Sequence, residues 1–383
     1  MNRMRDGIVK RGSRWAFKLE LPPDPATGKR RQKWVSGFDT RREAQAARDD
    51  ARARLRTGTY LAPTRETVGE YLLQWLAGVR SEYSPGAYDA AKLHVDRYIV
   101  PRLGAVRLAE LTTPMVKAFN ADVGEHGRIR GDRPLSAKTV HNIHRTLSRA
   151  LNDAVAELPP RIPANPAAKA HKAPPSPEQP TWTVEQLRAF YAHVADDRLY
   201  ALWRLAATTG LRRGELAGLR WVDVDLDAGR LALARQRAKG GGTVTERPLK
   251  GKRGRPVSLD PATAAALRAH RTAQLEERMR WGPAWVDTSR VFTHPDGSEL
   301  HPDSITKRLK RLVGEAGLPW IKLHGLRHTH ATLMLEAGVN VKIVAERLGH
   351  SSIAITGDVY SHVTANLQDE AAARVAAVVD GDA

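Results

Sequence analysis

The spacing of apolar residues indicates short strands at the start of the chain and helices after them. Residues 7–22 and 29–38 are rich in aromatic and β-branched side chains, which indicates short strands separated by a turn. Thr40 can then cap a helix over residues 41–56. These elements predict a small β-sheet with one helix, and we place this first domain at residues 1–60.

Helical spacing dominates the chain between residues 64 and 158. Apolar residues recur there at intervals of one helical turn, which predicts amphipathic helices around one small core. The segments with this spacing are 68–79, 87–104, 115–126 and 137–155. The last segment also carries a basic stripe that could follow a phosphate backbone. The stripe consists of Lys138, His141, His144, Arg145 and Arg149.

A proline-rich stretch separates this bundle from the second half of the chain. Residues 159–180 contain eight prolines in 22 positions, so they cannot be helical throughout and predict an extended, semi-rigid linker. Three strands with glycine-rich turns follow between residues 230 and 259, and helices are expected at about 261–281 and 303–317. The predicted fold class is a multidomain chain, mainly α with small β-sheets, whose last domain is mixed α+β and spans 181–383.

The charge of the chain points to a polyanionic partner. The 383 residues carry a formal net charge of +19, and the pI is about 10.4. Residues 1–63 hold 16 Lys and Arg against 7 Asp and Glu, so their net charge of +9 is almost half of that of the whole chain. A small basic sheet of this kind suits a DNA groove, although a solvated basic face is the alternative.

What the sequence lacks disfavours several classes of protein. No long apolar run or signal peptide is visible, so a membrane protein is not expected. The chain has no cysteine, which rules out disulfide bonds and thiolate chemistry and fits a reducing cytoplasm. No G-x-x-x-x-G-K-[ST] motif and no carboxylate pair suited to two metals is present.

The residues with the clearest chemical use lie near the C-terminal end. His324 and Arg327 are three positions apart, so they share a helix face, where a guanidinium could hold an anionic oxygen beside a proton-transferring imidazole. His328 and His330 could join His324 in a metal site, but no cysteine or intervening carboxylate supports one, and no metal is expected. His350, taken alone, could equally be a hydrogen-bonded core histidine.

The order of these residues resembles the tyrosine recombinase (phage integrase) family. The family signature in this region is H-x-x-R, then L-G-H, then a tyrosine. Here the three parts are 324–327, 348–350 and Tyr360, which lies ten residues after the last histidine. Upstream, the segment 209–225 resembles the first arginine motif of the family and includes Arg212.

The resemblance implies a catalytic set of six residues. They are Arg212, Lys250, His324, Arg327, His350 and Tyr360. The two arginines would bind the transition state of phosphodiester cleavage more tightly than the ground state, and His350 would hydrogen-bond the phosphate. Tyr360 would be the nucleophile that forms a covalent 3′-phosphotyrosine, with His324 as its base. This chemistry would require no metal and no other cofactor.

The proton for the departing 5′-oxygen would come from Lys250 in this resemblance. Lys252 is the alternative, because the basic run 250–255 blurs the register. Without the resemblance, this whole run is simply a basic loop that follows phosphates. In this resemblance, Glu215, one turn after Arg212, would hold the neighbouring groups in place. Without the resemblance, Arg212 and Glu215 would be interpreted as a surface ion pair that contributes little to stability.

The implied function is that of an integrase, a site-specific recombinase that cleaves and rejoins double-stranded DNA attachment sites of a phage or mobile element. Residues 1–60 would bind arm sites, residues 64–158 the core site, and residues 181–383 would catalyse. The implied assembly is a homotetramer on DNA, which an excisionase and a host DNA-bending protein could join. The implied location is the cytoplasm, in association with the nucleoid. The segment 366–383 has one apolar helical face, which could dock on a neighbouring subunit or pack in cis.

Two other functions stay open at this point. One is a DNA-binding protein that keeps the fold without catalysis, which the intact catalytic set disfavours. The other is a type IB topoisomerase, which uses a similar set of residues to relax DNA. The basic N-terminal domain and the segment 348–356, LGHSSIAIT, favour recombination over relaxation.

Overall fold

The computed structural model describes most of the chain. The described residues are 7–21, 23, 28–56, 65–128, 131, 133–175, 179–249, 254–350, 352 and 379. The chain divides into two compact units, Met1–Pro175 and Ser176–Ala383. The division falls inside the stretch that was expected to be a linker.

The first unit begins with a three-stranded antiparallel sheet and one helix. The elements are β1 (Ile8–Arg11), β2 (Arg14–Leu21), β3 (Arg31–Phe38) and α1 (Arg41–Arg56), with the strands in the order β1-β2-β3. Phe17 and Leu19 of β2 are buried with Ala44 of α1, so sheet and helix share one small core. Gly12, with a φ of +63°, turns the chain between β1 and β2, which is why residues 7–22 form two strands.

A helical bundle follows in the same unit. Its helices are α2 (Val68–Val79), α3 (Pro85–His94), α4 (Val100–Leu103), α5 (Thr113–His126) and α6 (Ala137–Ala156). A π-helical turn, Val95–Ile99, joins α3 to α4, so the predicted segment 87–104 is helical but not uniform. Thr67 and Glu70 form a capping box that starts α2, because each side chain accepts a hydrogen bond from the backbone of the other. The apolar faces of the helices enclose one core, as their spacing predicted.

The stretch predicted to be a linker is packed on this bundle in its first part. Ile162 and Ala167 are 2% and 0% exposed and belong to the bundle core. The side-chain amide of Asn165 donates to the carbonyl oxygen of Ser148 on α6 at 2.9 Å. The prediction of an extended tether is therefore wrong for residues 161–170. Prolines exclude a regular helix there, but the side chains between them can still enter a core.

One member of the predicted basic stripe on α6 is a core residue. His144 is 5% exposed, and its Nδ1 accepts a hydrogen bond from the side-chain amide of Asn120 at 3.2 Å. Burial, with the charges of His171 and His141, lowers the pKa of His144 to about 4. His144 is therefore neutral near pH 7 and adds no charge to the stripe, because it shares the buried face of α6 with Leu147. The exposed members are Lys138, Arg145 and Arg149.

The second unit is mainly helical. Its helices are α7 (Val184–His193), α8 (Tyr200–Thr209), α9 (Arg213–Gly218), α10 (Pro261–Trp281), α11 (Pro302–Glu315), α12 (Leu323–Glu336) and α13 (Val341–Leu348). Phe190 on α7, Trp203 on α8 and Leu326 on α12 are fully buried in one core, which places α8 and α12 side by side. No helix in the described parts of the chain is long and apolar enough to cross a membrane.

Two small antiparallel sheets lie between α9 and α10 in the sequence. One contains β4 (Val224–Asp225), β5 (Arg230–Leu233) and β8 (Arg255–Ser258), ordered β4-β5-β8, and the other pairs β6 (Arg235–Gly240) with β7 (Thr243–Pro248). The first of the three strands predicted between residues 230 and 259, which covers 230–238, is thus divided between two sheets. In its first half, the side chains of Leu231 and Leu233 are buried in the core. In its second half, Arg237 is buried and donates a hydrogen bond to the carboxylate of Glu299.

Replacing Ile162 by alanine should destabilise the first unit by about 2–5 kcal/mol, because the change leaves a cavity in the bundle core. Leu158 is the matched control, since it lies four residues earlier and is 96% exposed. Leu158→Ala should change the free energy of unfolding by less than about 0.5 kcal/mol. Urea denaturation of both variants beside the parent chain measures the difference, and two equally small effects would mean that the stretch does not pack on the bundle.

Candidate active site

The structure describes four of the six residues expected to be catalytic, and it brings them together in the second unit. Arg212 directly precedes α9, His324 and Arg327 lie on α12, and His350 follows α13 by two residues. Outside the described residues lie Lys250, the alternative Lys252, Tyr360 and most of the segment 366–383.

The turn before Arg212 depends on Gly210. This residue ends α8 with a φ of +63°, a left-handed conformation that glycine adopts without strain. A side chain there would place its Cβ 2.5 Å from Cδ2 of Leu348 and 3.1 Å from the ring of His330. The end of α8 can therefore approach α12 and α13 closely only because residue 210 has no side chain.

Arg212 is fixed by partners from two parts of the fold. Its Nη1 donates to Oε1 of Glu215 at 3.0 Å, and its Nη2 donates to the carbonyl oxygen of Gly349 at 2.7 Å. The other carboxylate oxygen of Glu215 accepts a hydrogen bond from the backbone N–H of Arg212 at 2.8 Å. The side chain of Arg212 is still 38% exposed, so it is held in one orientation and remains open to a ligand.

Arg327 is held in the same way but is buried. It is 2% exposed, its Nη1 donates to the carbonyl oxygen of Gly210 at 2.7 Å, and its Nη2 donates to that of Leu348 at 2.6 Å. Burial and the positive charge of Arg212 lower the pKa of Arg327. Two cations are thus held close together, an arrangement that favours an anion beside them.

The carboxylate that holds Arg212 is fully buried. Glu215 has a side-chain exposure of 0% and accepts two further hydrogen bonds, from Nη1 and Nη2 of Arg255 at 3.0 and 2.9 Å. Burial alone would raise the pKa of Glu215, but the hydrogen bonds from Arg255 and Arg212 outweigh it and hold the pKa below its usual value. The interpretation of residues 250–255 as a phosphate-following loop is therefore wrong for Arg255. Nothing in the sequence of this basic run distinguishes Arg255 from its neighbours.

The two histidines expected to act on the phosphate are neutral near pH 7. Partial burial and the charges of His328 and Arg327 lower the pKa of His324 to about 4. Burial and the charges of Arg327 and Arg212 also lower the pKa of His350 to about 4. The rings of His324 and His328 meet edge to face, with centroids 4.8 Å apart. A neutral imidazole can accept a proton, which is what a base requires.

His330, which the sequence allowed as a metal ligand, has a structural role. It is 8% exposed, and its Nε2 accepts a hydrogen bond from Nε of Arg347 at 3.1 Å. Burial and the charges of Arg347 and Arg327 lower its pKa to about 4. Among the described residues, no group of three or more His, Asp or Glu side chains is arranged to hold a metal ion.

Comparison with known proteins decides the family. Residues 181–366 match the phage integrase family, and residues 7–53 match an arm DNA-binding domain. The integrase of Mycobacterium phage FRAT1 is 30% identical over 289 residues, which cover 75% of this chain and 81% of that protein. The chain belongs to the phage integrase family. The resemblance inferred from the motifs is thereby confirmed.

Solved integrase structures share the fold of this family member. The Tn1549 transposon integrase in complex with a circular intermediate DNA has a TM-score of 0.66 at 21% identity, and the match covers 77% of this chain and 95% of that one. The lambda integrase, solved as a tetramer bound to a Holliday junction, has a TM-score of 0.56 at 18% identity and covers 94% of this chain and 96% of that one. The predicted fold class, mainly α with small β-sheets, is confirmed.

Acid should destabilise the second unit of this integrase partly through His330. The pKa of an unfolded histidine is near 6.5, and that of folded His330 is about 4, so the unfolded state takes up the proton first. The stability that depends on neutral His330 is complete above about pH 6.5 and falls as the pH is lowered from there towards 4.

The variant His330→Gln keeps an acceptor for Arg347 that does not titrate in this range. The parent chain should therefore lose about 2 kcal/mol more free energy of unfolding than the variant between pH 7 and pH 5. Chemical denaturation of both proteins at the two pH values measures this difference. Equal losses would mean that the pKa of His330 is the same in the folded and unfolded states.

Proposed function

We propose that this chain, a site-specific DNA recombinase of the phage integrase family, cleaves a DNA strand with Tyr360 while Arg212 and Arg327 bind the scissile phosphate. The observation that carries the proposal is the fixed pair of guanidiniums on the end of α13. Arg212 donates to the carbonyl oxygen of Gly349 at 2.7 Å and Arg327 to that of Leu348 at 2.6 Å. Cations that are already in place need little reorganisation when charge develops beside them.

The arginines would lower the barrier by binding the charge that builds up during cleavage. Attack on a phosphodiester concentrates negative charge on the non-bridging oxygens, and a guanidinium offers five N–H donors in a plane that matches them. Arg212 is partly exposed and would contact the phosphate directly. Arg327 is 2% exposed, so its contact with the phosphate requires the groups that cover it to move when DNA binds. His350 would add a hydrogen bond to the same phosphate.

The covalent step would transfer the phosphate from DNA to protein. The phenol oxygen of Tyr360 forms a bond to phosphorus while the bond to the 5′-oxygen breaks, which leaves a 3′-phosphotyrosine and a 5′-hydroxyl. His324, neutral near pH 7, would take the phenol proton. Lys250, or Lys252 in the alternative register, would donate a proton to the 5′-oxygen. Attack by the 5′-hydroxyl of another strand then reverses these steps and joins the strands in a new order.

The other domains would bring attachment sites to this centre. Residues 1–60 would bind arm sites, which the match of residues 7–53 to an arm DNA-binding domain supports. Residues 64–158 would bind the core site, which the exposed Lys138 and Arg145 on α6 support. Residues 181–383 would form the catalytic domain.

The assembly on DNA would contain four copies of the chain, so that two strands are exchanged in a symmetric complex. The lambda integrase tetramer on a Holliday junction supports this number. An excisionase and a host DNA-bending protein would complete the complex that integrates or excises a phage or mobile element. The setting would be the cytoplasm, at the nucleoid.

The variant Tyr360→Phe should form no covalent adduct on a nicked core-site substrate, because the change removes the attacking oxygen and keeps the ring. Its affinity for the same DNA in a gel-shift assay should stay within a few-fold of the parent. Adducts are measured as DNA that migrates with protein in a denaturing gel.

Tyr88→Phe is the matched control, since Tyr88 lies on α3 in the first unit and should leave adduct formation unchanged. Adducts that persist without the hydroxyl of Tyr360 would contradict the assignment of the nucleophile. Loss of DNA affinity together with the adducts would make that hydroxyl structural and would favour a DNA-binding protein without catalysis.

A further inference from the structure

The last turn of α13 is bound by three arginines, one more than the proposed catalytic pair. The carbonyl oxygens of Arg347, Leu348 and Gly349 accept hydrogen bonds from Arg255, Arg327 and Arg212 at 2.9, 2.6 and 2.7 Å, respectively. The last carbonyls of a helix have no partner within the helix and carry partial negative charge, so they attract cations. The third arginine therefore belongs to the same cluster as the proposed catalytic pair.

Arg255 packs closely against the segment that leads to His350. Its Nε donates to the carbonyl oxygen of Arg347 at 2.9 Å, and a Cβ added to Gly349 would lie 2.8 Å from its Nη1. Gly349 has a φ of +66°, so its backbone conformation also favours glycine. The guanidinium of Arg255 thus occupies the space beside Gly349, the residue whose carbonyl oxygen holds Arg212.

Arg255 also offsets the charge of Glu215. A carboxylate 3.0 Å from the guanidinium of Arg212 weakens the attraction that a phosphate would experience there. Arg255 binds both oxygens of this carboxylate, at 3.0 and 2.9 Å, and its side chain is only 12% exposed. Glu215 and Arg255 are together neutral, so the positive charge of Arg212 remains available to an anion.

We propose that Arg255 is a positioning residue for strand cleavage, which neutralises Glu215 and fixes the end of α13 so that Arg212 keeps its charge and orientation for the scissile phosphate. The proposal rests on the function proposed above. Arg255 touches no reacting atom in this scheme and acts through Glu215 and Gly349. Because it begins β8, it also anchors the far end of the basic run that contains Lys250.

The variant Arg255→Gln should form covalent adducts about a hundredfold more slowly than the parent, as a misplaced catalytic group does. Gel-shift affinity for core-site DNA should stay within a few-fold, since the DNA contacts elsewhere are unchanged. Arg255→Lys keeps the charge but loses the two-pronged contact with Glu215, so its rate should lie between those of the parent and of Arg255→Gln. The lysine variant also provides the comparison if the glutamine variant does not fold.

Arg198→Gln is the matched control for the loss of a partly buried ion pair. Arg198 binds both oxygens of Glu277 at 2.6 Å and donates to the carbonyl oxygen of Thr293 at 2.6 Å, the same pattern of contacts that Arg255 makes. Arg198 lies in the second unit, as Arg255 does, and neither Glu277 nor Thr293 is among the proposed catalytic residues. Arg198→Gln should lower the thermal midpoint as Arg255→Gln does, but it should leave the rate of adduct formation unchanged.

The double variant Glu215→Gln, Arg255→Gln distinguishes a role through charge from a purely structural one. If Arg255 acts by neutralising Glu215, removing the carboxylate charge as well should restore at least about tenfold of the lost rate. If Arg255 only supports the fold, the second substitution should slow the reaction further.

The outcomes separate this proposal from the proposed function. A parent chain that forms no adduct would overturn the function and the role of Arg255 with it. A parent that forms adducts while Arg255→Gln matches its rate would overturn only the role of Arg255. A double variant slower than Arg255→Gln, or an equal loss of rate in Arg198→Gln, would also overturn it.

Discussion

The last turn of α13 is the constraint on which the candidate active site depends. The three consecutive carbonyl oxygens at its end, which follow the last backbone hydrogen bonds of the helix, accept hydrogen bonds from arginines that come from the turn after α8, from β8 and from α12. A guanidinium is rigid and planar, so its donors fix its position once their acceptors are fixed. The end of one short helix therefore sets the spacing and orientation of the cations that would bind a phosphate, and Gly210 and Gly349 leave the room for it.

The excess of positive charge in this cluster has an energetic cost in the free protein. Three arginines share one buried carboxylate, Glu215, and the same excess contributes to the lowered pKa values of Arg327, His324 and His350. Unbalanced buried charge is unfavourable until a counter-charge arrives. A DNA phosphate would supply that counter-charge, and the surrounding core of the second unit keeps the cations in place until it does.

The sequence was a good guide wherever a pattern reflects one physical cause. Apolar spacing predicted α2, α5, α6 and α10 almost to the residue, and the H-x-x-R and L-G-H motifs identified the family. It failed where residue type does not determine burial. His144 and Arg255 look like solvated cations, because each lies in a basic run. The position of His144 on its helix instead places it in the bundle core, and Arg255 forms an ion pair with the buried Glu215. Prolines around Ile162 indicated an extended, semi-rigid linker, because prolines restrict backbone geometry and carry no information about packing.

In this mechanism, a phosphate held by these arginines would be transferred to Tyr360. Mass spectrometry of the DNA–protein adduct, trapped on a nicked core-site substrate and digested with nuclease and protease, would locate the covalent bond directly. We predict a nucleotide joined through its 3′-phosphate to the side chain of Tyr360. A nucleotide joined to any other residue, or joined through a 5′-phosphate, would contradict the mechanism.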